Sequence, residues 1–312
     1  MREIITFPNS QVKRSLGEYK LMNKSVILPA FFKDTIKNID SFIEAINLVR
    51  KYSISIVEFY YEGNEKERIK EVLEKNNLKR IYLGGMAAKI KRLNLSSLNE
   101  YLREKSIEEL KQCIRDAYFY EARAVLINSG PRPANKIEEI TAYQALKKSI
   151  TELLQYTVKN ARDYLLDITL EPGDRDIDFC ELIGNTDLAI KLVKDIQNKY
   201  ANFYLTLDTS HLKQLNEQPL HSIKKAFSYC YHIHLANCVL KDKSSNLYGD
   251  KHPEFGFPNS EFNNEGIKKL YNEINEIYKN HRLFMGVEII NRKEDKFQFF
   301  QETANKMNWF FK

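Results

Sequence analysis

No apolar run in this 312-residue chain is long enough to span a bilayer, so no membrane partner is expected. The opening Met-Arg-Glu-Ile-Ile-Thr-Phe-Pro is too short and too polar for the core of a secretion signal, and a cytoplasmic protein is expected. The four cysteines, Cys113, Cys180, Cys230 and Cys238, form no Cys-x-x-Cys pair, and none stands beside an obvious base. Reduced, buried thiols are expected, not a cysteine nucleophile. No dense basic run occurs: 48 Lys and Arg are spread among 42 acids for a net charge of +6, without regular basic–aromatic interleaving. Nucleic acid is therefore not the expected partner. No linker rich in Pro, Gly or Ser divides the chain, and no histidine precedes His211.

What is present is strict alternation. Segments 25–31, 54–60, 79–85, 124–129, 164–171, 203–208, 231–237 and 283–290 are short runs of β-branched, aromatic and aliphatic residues. Helical spacing follows most of them, at 40–52 (Asp40 as N-cap), 64–76, 106–121 (Ser106 and Glu109 in capping-box register), 137–163, 185–199, 219–229, 263–279 and 293–311. The connection after the third strand is long, polar and weakly patterned. Eight strand–helix units demand parallel strands, and in this length they specify an α/β fold, the (β/α)₈ TIM barrel, over residues 25–312 behind a polar lead-in at 1–24. A doubly wound sheet would want a Gly-rich turn after its first strand, where this chain has Phe31-Phe-Lys-Asp34.

Active sites of such barrels stand at the C-terminal strand ends. Those ends carry Glu58, Asn128, Glu171, Asp208, His234 and Glu288. Alternation places Thr169 and Asp167 on the same face as Glu171, Thr206 and Tyr204 with Asp208, His232 with His234, and Gly286 with Glu288. On these four strands polar or small residues face inward and aliphatic residues outward, which a barrel filled only for packing would not show. Singly, each residue has an ordinary structural explanation: Glu171 as a solvated strand end, His232 as a packed core histidine, Glu58 as a salt-bridge partner. Together, Glu171, Asp208, His234 and Glu288 bring three carboxylates and one imidazole from four consecutive strands. Crowded carboxylates require a cation, and a mixed O/N set suits one divalent metal: Mn, Mg, Co or Zn.

The elements Leu170-Glu171-Pro172, Asp208-x-x-His211, His232-Ile-His234 and Val287-Glu288 resemble the xylose isomerase-like TIM-barrel superfamily. It contains sugar-phosphate isomerases and epimerases, hydroxypyruvate isomerase-like and inosose dehydratase-like enzymes, and endonuclease IV. The resemblance implies an isomerase or epimerase of a sugar or sugar phosphate, working by proton transfer through an enediolate. Glu171 and Glu288 would be both metal ligands and the acid/base pair, Asp208 and His234 the other ligands, and His211 a substrate contact. Asp250, His252, Glu58 and Asn128 are further candidate substrate contacts. The alternative the resemblance offers is an endonuclease IV-like phosphodiesterase acting on abasic DNA. Asp250-Lys-His252 matches that branch and, with His211, could hold a second metal; the same segment, 249–256, reads equally as a substrate lid. Glycines 84–85 and Asn128-Ser129 stand where that branch places further histidines, so a three-metal site cannot be assembled. Asn237 replaces an aspartate common in relatives. Arg132, Lys251 and Arg292 on strand-end loops are candidates for meeting a phosphate, and a homo-oligomer stays open.

Overall fold

A computed structural model describes residues 23–161 and 163–310, so all but the last two residues of the 1–24 lead-in lie outside the described residues. Eight parallel strands close in sequence order: β1 (Asn23–Ile27), β2 (Ile56–Phe59), β3 (Lys79–Leu83), β4 (Ala124–Ile127), β5 (Asp167–Leu170), β6 (Phe203–Asp208), β7 (Cys230–Ala236) and β8 (Phe284–Glu288). Their connections carry α1 (Leu28–Phe31), α2 (Ile39–Lys51), α3 (Lys66–Lys75), α4 (Gly84–Lys91), α5 (Glu100–Phe119), α6 (Glu139–Asn160), α7 (Thr186–Gln197), α8 (Thr209–Gln214), α9 (Pro219–Lys225), α10 (Asn264–Ile277) and α11 (Lys296–Phe310). This is the (β/α)₈ barrel expected from the alternation. No described helix is long and apolar enough to cross a membrane, and all four cysteines are free.

The interior follows the expected parity. Thr206 and Thr169 are joined at 2.9 Å, and His232 Nδ1 meets Thr206 Oγ1 at 2.9 Å, while Ile168, Leu205, Leu207, Ile233 and Leu235 are fully buried beneath the helices. One irregularity was not legible. Between β6 and β7 the register slips, so that Leu205 opposes Cys230 and Thr206 opposes His232. The extra residue, Tyr231, donates to Asp167 Oδ2 at 2.8 Å, with the Arg282 guanidinium 3.8 Å above its ring. A bulge of this kind re-aims a side chain without ending the strand.

Several boundaries differ from expectation. The first strand ends earlier than expected, at Ile27, and Pro29 stands in the first turn of the single-turn α1 that follows. Helix α2 is capped by Asn38, whose side chain accepts from Ser41 N at 2.9 Å, and Asp40 lies inside it. The weak connection after β3 is two helices. Gly84 and Gly85 begin α4 instead of ending a strand, because the helix packs directly on β4: a Cβ on Gly85 would sit 2.2 Å from Asn128 Oδ1. Helix α5 starts at Glu100 behind an Asn99 cap, so Ser106 is interior. There it donates to Leu102 O at 2.7 Å and accepts from Asn94 N at 2.8 Å. The Ser106–Glu109 pattern satisfied a local rule, but Asn99 offered the same cap earlier, and the longer helix buries more apolar surface.

Candidate metal centre and its cavity

Asp208 ends β6 and caps α8. Its Oδ1 accepts from Ser210 N at 2.7 Å and His211 N at 3.1 Å, which is why a carboxylate follows this strand and a helix follows the carboxylate. Its Oδ2 is buried with no hydrogen-bond partner. An orphaned carboxylate oxygen is costly in the interior, and a cation removes that cost. Donor atoms of Glu171, Asp208, His234 and Glu288 lie within 4.8 Å of one another. His234 Nδ1 is 3.0 Å from Glu171 Oε1 and 3.2 Å from Glu288 Oε2. The residues present thus fit one divalent ion, with hard oxygens predominating.

Electrostatics agree with the geometry. Burial alone would lower the His234 pKa, but Glu58 and Glu171 outweigh it and hold the imidazole well above its ordinary value. Burial would raise Glu288, yet His252 and His234 outweigh it and hold the carboxyl below the usual range. Nδ1, the ring nitrogen that faces Glu171 and Glu288, is the one a metal would take, and ion binding would displace a proton held there.

Beneath this layer lies a second, closed one. Glu58 is fully buried, accepts from Ser25 Oγ at 2.5 Å, and meets His232 Nε2 and His234 Nε2 at 3.0 Å each. Burial would raise its carboxyl, but the two histidines hold it below the usual range. A Cβ on Gly286 would stand 2.8 Å from Glu58 Oε1, so glycine there makes room for the carboxylate. The expectation of Glu58 as a substrate contact is corrected: it does not line the cavity, and it orients the His234 ring from behind.

Beside the first cluster, Asp208, His211 and His252 form another set of donors within 4.8 Å. His211 Nε2 and His252 Nε2 lie 3.0 and 2.7 Å from Asp250 Oδ1, and His211 Nδ1 is 3.1 Å from Pro172 O. His252 sits at φ +39°, a conformation β-carbon residues rarely adopt, and its Nδ1 lies 3.4 Å from Glu288 Oε1. Burial would lower His211, but Asp250 and Asp208 raise it to about 10. Asn237 holds the loop that carries this set: the two hydrogens of its amide nitrogen are shared among Glu254 O, Ser260 Oγ and Phe262 O, all within 3.0 Å, and its oxygen accepts from Cys238 N and Phe262 N. An aspartate has no N–H to offer these oxygens.

Both clusters face one cavity of about 440 Å³, which Asn128, Glu171, His211, His234, Asp250, His252 and Glu288 help to line. The loop bases expected to meet a phosphate are already engaged. Arg132 pairs with Asp176 at 2.7 Å, Lys251 with Asp178 at 2.7 Å, and Arg292 donates to Ile290 O at 2.9 Å. The cations that do line the cavity are Lys89 and Arg92, at the end of α4, in the stretch the sequence left unassigned. Glu181 also lines it and was missed. It is bonded to Ser129 Oγ, and burial raises its carboxyl to about 7. The available signal was a lone acid between apolar neighbours, Cys180-Glu181-Leu182-Ile183, in a loop just beyond the strand-five glutamate.

A closed barrel with this ligand set defines a class. Residues 45–298 match the family described as xylose isomerase-like TIM barrel, and the chain belongs to it. A curated relative, an uncharacterized protein of Methanocaldococcus jannaschii, is 28% identical over 153 residues, covering 47% of this chain and 50% of its own length. The chain thus spans about half the length of that relative. Among solved structures, a D-tagatose 3-epimerase-like protein superposes with a TM-score of 0.69 at 15% identity, covering 93% of this chain and 98% of its own. An AP endonuclease, family 2, from Brucella melitensis superposes at 0.66 with 16% identity, covering 92% and 97%. A 3-keto-D-glucoside 4-epimerase from E. coli superposes at 0.64 with 14% identity, covering 93% and 98%. At these identities the likeness is one of fold.

Proposed function

We propose that the protein is a divalent-metal-dependent isomerase or epimerase that moves a proton on a carbon beside the carbonyl of a sugar or sugar phosphate. The observation that carries this is the convergence of Glu171, Asp208, His234 and Glu288 around the bare Asp208 Oδ2. An ion held by these four supplies positive charge that polarises a carbonyl. Glu171 and Glu288 both reach His234 Nδ1, so two carboxylates border one small volume. One takes the proton from carbon, and the other returns it: to the same carbon from the opposite side for epimerisation, or to its neighbour for isomerisation. His211, held by Pro172 O and Asp250, is the group that would meet a substrate oxygen in this reading. Glu181, with its carboxyl near 7, can hold a proton at neutral pH and offer it to another.

The test is exchange in D₂O: metal-loaded protein is incubated with pooled ketoses and ketose phosphates, and carbon-bound deuterium is read by mass spectrometry. Incorporation supports the reading and identifies the substrate. A second reading, a phosphodiesterase on abasic DNA, is favoured by the Asp208–His211–His252 set, which has the donors for a further ion. Nicking of abasic DNA with no deuterium uptake in any sugar would overturn the first reading in favour of the second.

A further inference from the structure

The cavity has two unlike walls. Strands β5–β8 and their loops bring acids and imidazoles. The opposite wall, from β3, α4, the α4–α5 connection, α5 and β4, is lined by Leu83, Met86, Leu95, Leu102 and Leu126, and Phe179 also borders the cavity. The polar groups on that side are few. The Asn94 amide is used within the protein: its oxygen accepts from Ser96 N and Oγ at 2.8 Å each, and its nitrogen donates to Pro131 O. Lys89 lies 4.9 Å above the Phe179 ring. Asn128 and Arg92 remain to meet a ligand. Among the described residues, the exposed large apolar side chains are Ile90, Leu98, Tyr101, Ile137 and Ile140, all on the connections after β3 and β4. The connections that build the apolar wall thus also carry these exposed apolar side chains.

A bare ketose does not match this wall. Its distal hydroxyls would leave water to face leucines, losing hydrogen bonds without replacement. A hydrocarbon group there gains from leaving water, and the volume is in the range that holds ligands larger than a monosaccharide. We propose that the substrate is amphiphilic: a hydroxycarbonyl head seated at the ligand cluster, joined to an aryl or alkyl substituent that packs against the β3–β4 wall. The proposal rests on the proton-transfer reading for its head group and adds the apolar tail.

The test compares D-fructose with its 6-O-benzyl ether for deuterium exchange, and sorbitol with 6-O-benzyl-sorbitol for calorimetric binding, the polyols having no carbonyl to react. Met86 and Leu102 are half-buried, so Met86→Gln and Leu102→Gln leave a folded barrel on which the tail contact alone is changed. The expected result is at least a tenfold lower KM for the benzyl ketose and at least tenfold tighter binding of the benzyl polyol, both reduced severalfold in the two variants, with kcat on fructose unchanged. Exchange into fructose with no gain from the benzyl group would overturn the amphiphilic substrate and leave the proton-transfer reading intact. Tighter binding of the benzyl polyol, lost in the variants, with no exchange into either ketose, would support the apolar subsite and overturn the proton-transfer reading. Equal binding of both polyols would overturn the subsite.

Discussion

Strands β5 to β8 each deliver a carboxylate or an imidazole to the mouth of the barrel, whereas β1 to β4 deliver a single acid, Glu58, and bury it. Both halves are built from the same strand–helix unit. In the first, inward positions carry Thr169, Thr206 and His232 in one hydrogen-bonded layer, with Glu171, Asp208, His234 and Glu288 above it. In the second, aromatic packing dominates: Phe59 stacks edge-on to Phe42, Tyr82 and Tyr120 at 5.2–5.5 Å, and the cavity side is leucine. The division has a physical reason. Charges in a low-dielectric interior are tolerable only when grouped so that each has a partner, so the buried ionisable groups are concentrated in one half. The other half is left to supply stability and the shape of the cavity.

The comparison breaks first if the charged half does not carry the chemistry. Glu288→Gln keeps size and most hydrogen bonding, so turnover should fall about 10²–10⁴-fold with little change in melting temperature. Deuterium exchange measured beside thermal unfolding checks this, and an active Glu288→Gln protein would remove the acid/base assignment. Asp208→Asn is sharper. Asparagine caps a helix as well as aspartate, so Oδ1 keeps its hydrogen bonds to α8, while the orphaned Oδ2 loses its charge. The wild type should gain about 2.7 kcal/mol of stability with Mn²⁺ at a hundred times its dissociation constant, and the variant should gain little. A stabilisation by Mn²⁺ that is equal in both would place the ion elsewhere.

Glu181 stands at the boundary between the halves, reaching from the loop after β5 to Ser129 after β4. Burial raises its carboxyl from 4.5 to about 7, so between those values the folded chain binds more protons than the unfolded one. Stability from this group therefore falls as pH rises from about 4.5 to 7 and levels off above. Glu181→Gln removes the titration. Relative to the wild type, it should become more stable by about 2 kcal/mol between pH 5 and pH 8, read from urea midpoints at both pH values. A difference that does not grow with pH would mean the carboxyl is ionised throughout.

The fold was legible because period-2 and period-3.6 patterns alternate along the chain, faintly only after the third strand, and the four candidate ligands were legible because each stands at or near the C-terminal end of a strand. Where legibility failed, the cause was spatial. Asp208 caps α8 with Oδ1 alone, and that its Oδ2 is left bare shows only in three dimensions. The bulge at Tyr231 leaves no mark in the alternation, and α4 begins with two glycines that read as a strand stop. Glu181, Lys89 and Arg92 reach the cavity from connections whose path no local pattern specifies.

Glu58 sharpens the comparison most finely, because it stands on a strand of the apolar half and touches two histidines of the charged one. Its Oε2 meets His234 Nε2 at 3.0 Å, directing that ring's other nitrogen toward Glu171 and Glu288. Glu58→Gln preserves the shape but offers His234 a neutral partner, or a donor where an acceptor is needed, and so weakens the basicity of Nδ1. About a tenfold loss of Mn²⁺ affinity is expected, with kcat retained once metal is saturating. Glu58→Ala leaves His232 and His234 without their shared acceptor and should cost about 3 kcal/mol of folding stability besides. Metal titration by calorimetry, with melting curves on the same samples, separates the two effects. If Glu58→Gln melted like the alanine variant and bound metal like the wild type, Glu58 would be a packing element of its own half and no support for the ligand shell.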